Sequence, residues 1–538
     1  MPENKKKINE AKDNQTITQS SQILAIIEGS DIELFHDQYD EPYIQCKTND
    51  HFEYFKVGST IFREWISYAY WTQFSKAINN EALNSAINII KAKARYEGKE
   101  YELQNRVAKQ VQNIFYDLGD WTAIKINAHG WERVHEPPIL FVTFSHQKKQ
   151  EIPIQSEDTE TKTIFDDLLF LINVKDSKQK LLFLISLHCL FLPNIPKPIF
   201  VLHGGQGTAK TTTSKLIKEL LDPSQLSTLS IGNSQNEFMQ QANHHYLLCL
   251  DNLTSLPVWM SDTLCQLVTG AGFSKRRLYT NDDDIIYSFK RCVSLNGINL
   301  VPSKPDLLDR CLIFELEPIA KKDRIDEKVF WNEFNEMKPK VLGAIFSTLS
   351  KAMKLHSNIY LESRPRMADF AIWGAAIAEA LGYSKEEFLE AYDDNIKIQH
   401  IEALEANPIA RVIMAFMDDE NKTEWLGPAT DLYNKLKVIA ESLSVDPHNR
   451  KYPKDPNWLW RRMKEVRPNL ESHGIYIEKD DSSRSTGRRI IIRKEDSKSA
   501  VNADMVSVGQ HDTNDTNFLD LPEEEQERRT KEYIDELD

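Results

Sequence analysis

No stretch of this chain stays apolar long enough to cross a bilayer. The longest such run, LLFLISLHCLFL at 181–192, is interrupted by His188, and a spanning helix needs about 20 apolar residues. The run therefore predicts a buried helix and no membrane span. The lysines of MPENKKKINEAKDNQ are followed by no apolar segment, which predicts that this is not a secretory signal. Cysteine is scarce. The six residues (Cys46, Cys189, Cys249, Cys265, Cys292, Cys311) form no C-x-x-C pair, and several lie in apolar runs. That pattern argues against zinc or a disulfide framework and predicts buried thiols and a cytoplasmic protein. There is no internal repeat. Residues 22–150 also lack the D-x-D pair that a metal-dependent primase or polymerase needs.

What is present is a soluble, multidomain composition: 538 residues, 41% hydrophobic and 27% charged. The net charge of -15 argues against nucleic acid when taken as a total, but it is unevenly spread. Residues 495–538 hold 14 Asp and Glu against 4 Lys and Arg, so they supply -10 of it and leave about -5 for the body.

Seven regions follow from composition and periodicity. Residues 1–21 are polar and expected to be disordered, and 22–150 mix strand-like runs with two helical patterns as an α+β domain. A helical linker over 151–196 leads into an α/β core at 197–320, where strands alternate with helices as in a parallel sheet. Residues 321–405 are helical in pattern. A helix–helix–helix–hairpin pattern fills 406–494, and an acidic, disordered tail follows over 495–538.

The core opens with the apolar strand PIFVLHG and continues HGGQGTAKTTT at 203–213. This is nearly the phosphate loop G-x-x-x-x-G-K-[ST], placed between strand and helix as that loop requires. Gly204, Gly205 and Gly207 allow backbone N–H groups to wrap phosphates. Gln206, Thr208, Ala209, Lys210, Thr211 and Thr212 complete a site for ATP. Lys210 would reach the β- and γ-phosphates and Thr211 would ligate Mg²⁺. Ala209 stands where glycine is usual, which is tolerable if its φ is negative. YLLCLDNL at 246–253 is an apolar strand ending in Asp251, a second ligand for Mg²⁺. The bland reading of Asp251 is a turn residue at a strand end. Asn252 occupies the place of a water-activating glutamate, and an amide cannot act as a base. RCVSLNGINL at 291–300 ends a further strand near Asn296, placed to sense the γ-phosphate. Arg310, in KPDLLDRCLIFELEP, is either a finger reaching a neighbouring subunit's nucleotide or a partner of Asp306 or Asp309.

The ordered set of phosphate loop, CLDN, SLNG and LLDR resembles the superfamily 3 helicases of the AAA+ class, and more closely the primase–helicase-type ATPases of phages, plasmids and integrated elements. The resemblance covers roughly 160–400, including RPRMADFAIWGAAIAEALG at 364–382. It implies an AAA+ P-loop core with a parallel sheet and a homo-oligomeric ring, usually hexameric, that moves on single-stranded DNA. Lys210, Thr211, Asp251 and Asn296 would act in cis and Arg310 in trans. Arg364 or Arg366 offers a second sensor or a bridge to nearby acids. Such rings carry a hairpin before the sensor strand, and GFSKRRLYTNDDDIIYSFKR at 272–291 matches one. Lys275, Arg276 and Arg277 would meet phosphates, with Phe273 and Tyr279 against sugar or base. Alternatively these cations neutralise Asp282, Asp283 and Asp284 across the hairpin.

Residues 406–494 read as a winged helix. The helix NWLWRRMKEVRPNLESHG carries Arg461, Arg462, Lys464 and Arg467, and the wing carries Arg484, Arg488 and Arg489. The module would bind duplex DNA unless these charges only solvate a face. Trp458 and Trp460 are expected in its core. The sequence thus supports an ATP-driven DNA motor, read as a replicative helicase of a mobile element, against a non-motor P-loop switch in signalling or defence. A small-molecule kinase fits poorly, because it requires neither sensor strand, finger nor basic module.

Overall fold

In the computed structural model, residues 18–28, 32–48, 51–232, 234–253, 256–276, 284–297, 304–363, 365–405, 407–418, 423–446, 452–480 and 489–495 are described. The chain divides into two compact units, Met1–Ala406 and Asn407–Asp538.

The first unit begins with helix Gln19–Glu28 and an antiparallel meander of β1 (Ile32–His36), β2 (Pro42–Thr48) and β3 (His51–Lys56). Strand β4 (Lys99–Glu100) pairs with β1 in parallel, giving the order β3-β2-β1-β4. Helices Thr60–Phe74 and Asn80–Tyr96 start at Ser59 and Asn79, whose side chains accept from backbone N–H groups of the first turn. Leu83, Ala86, Ile87 and Ile90 recur at helical spacing and pack with Phe62, Ile66 and Ile44.

Two further sheets follow. Strand β5 (Leu103–Gln104) pairs with the later β10 (Leu140–Phe141), and β6 (Val107–Gln110), β7 (Asn113–Asp117), β8 (Ala123–Asn127) and β9 (Gly130–Val134) form a meander in that order. The segment 22–150, expected as one α+β domain, holds three separate sheets. The four-stranded β6–β9 meander shares its core with later helices: Ile114, Tyr116, Ile124 and Ile126 cluster with Leu182, Phe191, Leu342 and Phe346. Helix Ser177–Leu190 is buried over all of Leu181–Leu190, as its apolar run predicts. His188 sits inside it, its Nδ1 2.7 Å from the Leu184 carbonyl, and burial pulls its pKa down to about 4. The imidazole is therefore neutral at physiological pH.

The central sheet contains β11 (Ile199–His203), β12 (Leu247–Leu253), β15 (Cys292–Gly297) and β16 (Cys311–Glu315), all parallel, in the order β12-β15-β11-β16. Alternate residues serve two cores. Phe200, Leu202, Cys249, Leu312 and Phe314 face one, while Ile199, Val201, Leu248, Leu295 and Ile313 face the other. Both faces are covered, which explains the near-continuous apolar strands. Between β12 and β15 the chain forms an antiparallel hairpin of β13 (Phe273–Arg276) and β14 (Asp284–Tyr287). Helices Glu327–Leu355, Ala368–Ala380 and Lys385–Glu405 follow. The last closes the free edge of β16: Asn395 accepts from Ile313 N at 3.0 Å and donates to Ile313 O at 2.6 Å. All six cysteines are free and buried. Among the described residues, no helix is long and apolar enough to cross a membrane.

The second unit contains helix Pro408–Met417, β17 (Glu424–Pro428), helices Ala429–Ser442 and Pro456–Ser472, and an antiparallel pair β18 (Ile475–Asp480) and β19 (Arg489–Lys494). Its three-stranded sheet has the order β17-β19-β18.

Candidate active site at the carboxyl ends of the parallel strands

The site forms where β11, β12 and β15 end side by side, the usual position for ligands on a parallel sheet. After His203 the chain enters the loop 204–209, and helix Lys210–Leu221 begins at once. Gly204 adopts φ 147°, and a Cβ there would lie 2.6 Å from the Leu316 carbonyl oxygen. Only glycine fits. Gly207 has φ 78°, whereas Gly205 faces open space. Gln206 is exposed and Thr208 is buried, its hydroxyl donating to Gly205 O at 3.1 Å; Thr212 lies half-buried in the first helical turn.

Ala209 corrects the sequence reading. A negative φ is the expectation for a tolerated alanine, but the residue sits in the left-handed region at φ 63°, ψ 25°. There the Cβ costs about 1 kcal/mol, which is why glycine is usual. As N-cap, Ala209 also has no side-chain acceptor, so the first-turn amides of Lys210, Thr211 and Thr212 remain available to an external anion. Replacing Ala209 with glycine should raise stability by about 0.5–1 kcal/mol, the relief of strain exceeding the added freedom of the unfolded chain. A urea titration that moves the midpoint downward would contradict the strain.

Lys210 folds back over the loop. Its Nζ donates to Gly204 O at 2.7 Å and Gly205 O at 2.5 Å, with Thr208 Oγ1 at 3.4 Å. Burial lowers its pKa and Asp251 acts in the opposite direction. The next residue begins a polar triangle. Thr211 Oγ1 donates to Asp251 Oδ1 at 3.2 Å, and Asn296 Nδ2 reaches Asp251 Oδ1 at 2.6 Å and Thr211 Oγ1 at 3.3 Å. Topology creates this meeting. In register, Asn296 stands beside Leu202 and Leu295 beside Leu250, so three chain segments far apart in sequence end together.

The pairing of β12 shifts register between Leu250 and Leu253, a bulge that re-aims Asp251. Asn252 lies within it at φ 57°, a conformation asparagine tolerates, and its amide donates to Asp251 Oδ1 at 2.8 Å. Its side chain is exposed. The fit to a nucleotide rests on the uncapped helix start, and the fit to Mg²⁺ on the hydroxyl and carboxylate oxygens of Thr211 and Asp251. Among the described residues no cluster of three metal-binding His, Cys, Asp or Glu side chains exists. Mg²⁺ needs none, because it keeps several of its waters.

Arg310 lies at the other end of the sheet. Its carbonyl accepts from Ile199 N, the first residue of β11, at 2.8 Å, whereas the loop follows the last. Within its own chain its guanidinium pairs with Asp306 at 2.8 Å. Arg366 bridges Asp306 and Asp309, so it too is held away from the loop of its own chain. Arg364 is outside the described residues.

Two further contributors have weak sequence signals. Arg324 belongs to a basic run, KKDR, after the last strand of the central sheet. Its Nη2 lies 3.2 Å from where a Cβ on Gly207 would stand, and Ile319 N donates to Gly207 O at 3.3 Å. The second is Tyr39, in a turn that sequence alone leaves without a role. Its hydroxyl donates to Ser288 O at 2.9 Å and accepts from Ser288 N at 3.2 Å, clamping the base of the β13–β14 hairpin.

In that hairpin, Lys275 and Arg276 lie on β13, and Arg276 is in register opposite Asp284. The neutralisation reading requires such a register. Arg277, Tyr279, Asp282 and Asp283 lie outside the described residues. In the second unit, helix Pro456–Ser472 buries Leu459, Met463, Val466 and Leu470. Trp458, expected in the core, is instead 42% exposed beneath Arg461, because the apolar stripe falls one residue further along. Trp460 is half-buried under Lys479. Arg461 and Lys464 are exposed, whereas Arg462 pairs with Glu465 at 2.8 Å and Arg467 with Glu471 at 2.6 Å. Arg489 begins β19; Arg484 and Arg488 are outside the described residues.

Two regions match known families. Residues 165–397 match the family described as actinomycete integrative conjugative element replication protein, and 409–506 match its AICE RepA C-terminal domain. Among solved structures, the A form apo structure of NrS-1 C terminal region-CTR aligns with 88% of this chain and 98% of its own, at 13% identity and a TM-score of 0.40. The apo structure of NrS-1 C terminal region (305-718) aligns with 89% of this chain and 100% of its own, at 11% identity and a TM-score of 0.39. No curated protein matches the chain.

Proposed function

We propose, from the premise that the chain carries both regions of the replication-protein family of actinomycete integrative conjugative elements, that it is an ATP-driven motor acting on single-stranded DNA. Its reading is that of a replicative helicase of the element, working as a homo-oligomeric ring, with a P-loop core of the AAA+ kind and a winged helix that takes duplex DNA. The observation that carries this is the triangle of Thr211, Asp251 and Asn296 beside a glycine loop whose helix start lacks a cap.

In this reading the loop amides and Lys210 bind the phosphates of ATP. Lys210 must leave the carbonyls of Gly204 and Gly205 to do so. Thr211 and Asp251 hold Mg²⁺, whose chemistry when bound is to neutralise developing charge on the phosphates. Asn296, fixed by Asp251, aims its amide at the place of the attacking water. Arg324 lies where it can add positive charge from the same chain. Arg310 projects from the opposite end of the sheet toward a neighbouring subunit, as a finger in trans. Lys275, Arg276 and Arg277 grip the strand in the channel, while Arg461, Lys464 and the wing residues Arg484, Arg488 and Arg489 bind duplex.

Asn252 favours a second reading, a slow switch, because the position next to Asp251 offers no base. Asn252→Asp suits the same left-handed backbone and supplies a carboxylate; general-base catalysis contributes about 10²–10⁴-fold. Under the motor reading, with the base provided elsewhere, this variant changes ATP turnover less than threefold. A rise of tenfold or more would assign the chain to slow hydrolysis. The motor itself is tested by strand separation on a forked duplex. ATP-dependent unwinding should disappear in Lys210→Ala protein and in Arg310→Ala protein, and mixing the two variants should restore part of it. Mixtures that stay inactive would refute a finger in trans.

A further inference from the structure

A cavity of about 320 Å³ opens between the edge strand β3 and the turn that joins β7 to β8, well apart in sequence from the glycine loop. Its walls include the rings of His51, Phe52, Trp121, Phe141 and Phe144, with the carboxylates of Glu53 and Glu136. The volume lies at the small end of ligand sites, which run from about 300 to 1,000 Å³.

Trp121 is the unusual member. It adopts φ 64°, and a bulky side chain in that region costs about 1–3 kcal/mol. The turn is braced to hold it. Leu118 N donates to Thr122 O at 3.0 Å, and Asp120 Oδ1 accepts from Thr122 N at 3.1 Å. Arg133 then binds Asp120 Oδ2 at 2.8 Å and Thr122 Oγ1 at 3.0 Å. A tryptophan needed only to plug two sheets together would be buried, but this one is 43% exposed. Its indole stacks on His51 with centroids 3.6 Å apart. Strain maintained by a hydrogen-bonded turn, for the display of a ring, is the pattern of a ligand platform.

The surrounding charge selects the guest. Lys149 Nζ lies 5.2 Å from the indole centroid, so a cation would compete with a resident ammonium, whereas a guest carrying phosphate would be drawn to it. Glu53 accepts from His51 Nε2 at 3.0 Å and keeps further lone pairs. Carboxylates on the wall suit a flat heterocycle with an exocyclic amino group, as in adenine or cytosine. We propose that this cavity binds one nucleotide by such a base, stacked against the His51–Trp121 wall, its amino group toward Glu53 or Glu136 and its phosphate toward Lys149. The base comes from a single strand or from a free nucleotide. Neither source depends on the motor reading.

The test titrates full-length Lys210→Ala protein, in which the glycine loop is disabled, by calorimetry. The ligands are dAMP, dCMP and dTMP and the corresponding four-nucleotide strands. Adenine and cytosine ligands should bind at least tenfold more tightly than thymine ligands. Trp121→Ala should weaken them about 5- to 100-fold, the range of base stacking on an aromatic ring, and abolish the preference, while Trp121→Phe retains most of both. Tighter binding of the strand than of the monophosphate identifies a strand base as the guest, and equal binding identifies the free nucleotide. The proposal is overturned if Trp121→Ala protein, folded by its melting curve, binds as tightly as its parent. It is equally overturned if thymine ligands match the others, or if no ligand binds while Trp121→Phe protein is also silent.

Discussion

Lys210→Ala should reduce ATP hydrolysis at least 10³-fold while leaving the fold intact. The ammonium lies against the carbonyls of Gly204 and Gly205 on the loop, and charge clamps of this kind supply several kcal/mol of transition-state stabilisation in phosphoryl transfer. Stability should change little, because Lys210 makes its contacts with loop carbonyls and a hydroxyl on a half-buried surface. Burial already lowers its pKa, so removing it relieves a small cost even as it silences the site. A melting temperature within a few degrees of the parent's, with turnover gone, is the expected pair of results. Retained turnover would place hydrolysis elsewhere in the chain.

Asp222→Ala should have the largest effect on stability, a loss of about 3–5 kcal/mol. Asp222 follows the helix that starts at Lys210 and is fully buried. Its carboxylate meets Arg106 Nε at 3.1 Å and Lys218 Nζ at 2.7 Å, and accepts from Tyr246 N at 2.9 Å and Leu247 N at 3.2 Å. Burial alone would raise its pKa, but Lys218 and Arg106 outweigh burial and hold it well below the usual carboxylate range. Because the folded pKa is depressed, the stabilisation is complete above the unfolded value near 3.8 and is lost as pH falls below it. Alanine would leave two buried cations, with Asp117, 4.0 Å from Arg106, as the remaining carboxylate and the Leu247 carbonyl, 2.7 Å from Lys218 Nζ, as a neutral acceptor. The cluster joins the meander of β6–β9 to the glycine-loop helix and to the start of β12, so its loss should also misplace Asp251. Urea unfolding measures the loss; a midpoint unchanged from the parent would show that the cluster is not a keystone.

The sequence displayed the glycine loop, Asp251 and Asn296 because each lies at the end of an apolar strand, and periodicity locates strand ends. It also marked the hairpin and the helical pattern of the second unit. It did not display the cluster around Asp222. Arg106 lies in a region without catalytic motifs, and a buried ion pair between residues 116 positions apart has no local pattern. Ala209 was misread for a related reason, since φ at a loop residue is set by the path of the chain and not by the residue's own preference. Trp458 was placed one position off, because a helical stripe read from sequence has an uncertainty of about one residue in phase. Arg310 pairs with Asp306, one of the two acids its sequence context offers, and Arg366 bridges acids that the sequence leaves unnamed, yet only the sheet reveals that both stand at the end away from the loop.

In the proposed function the glycine loop drives work on DNA. Steady-state ATP hydrolysis by the full chain, measured with Mg²⁺ in the presence and absence of single-stranded DNA, tests it most directly. Hydrolysis should rise at least severalfold with DNA and disappear in Lys210→Ala protein. Turnover indifferent to DNA, in a chain that still binds it, would contradict the account.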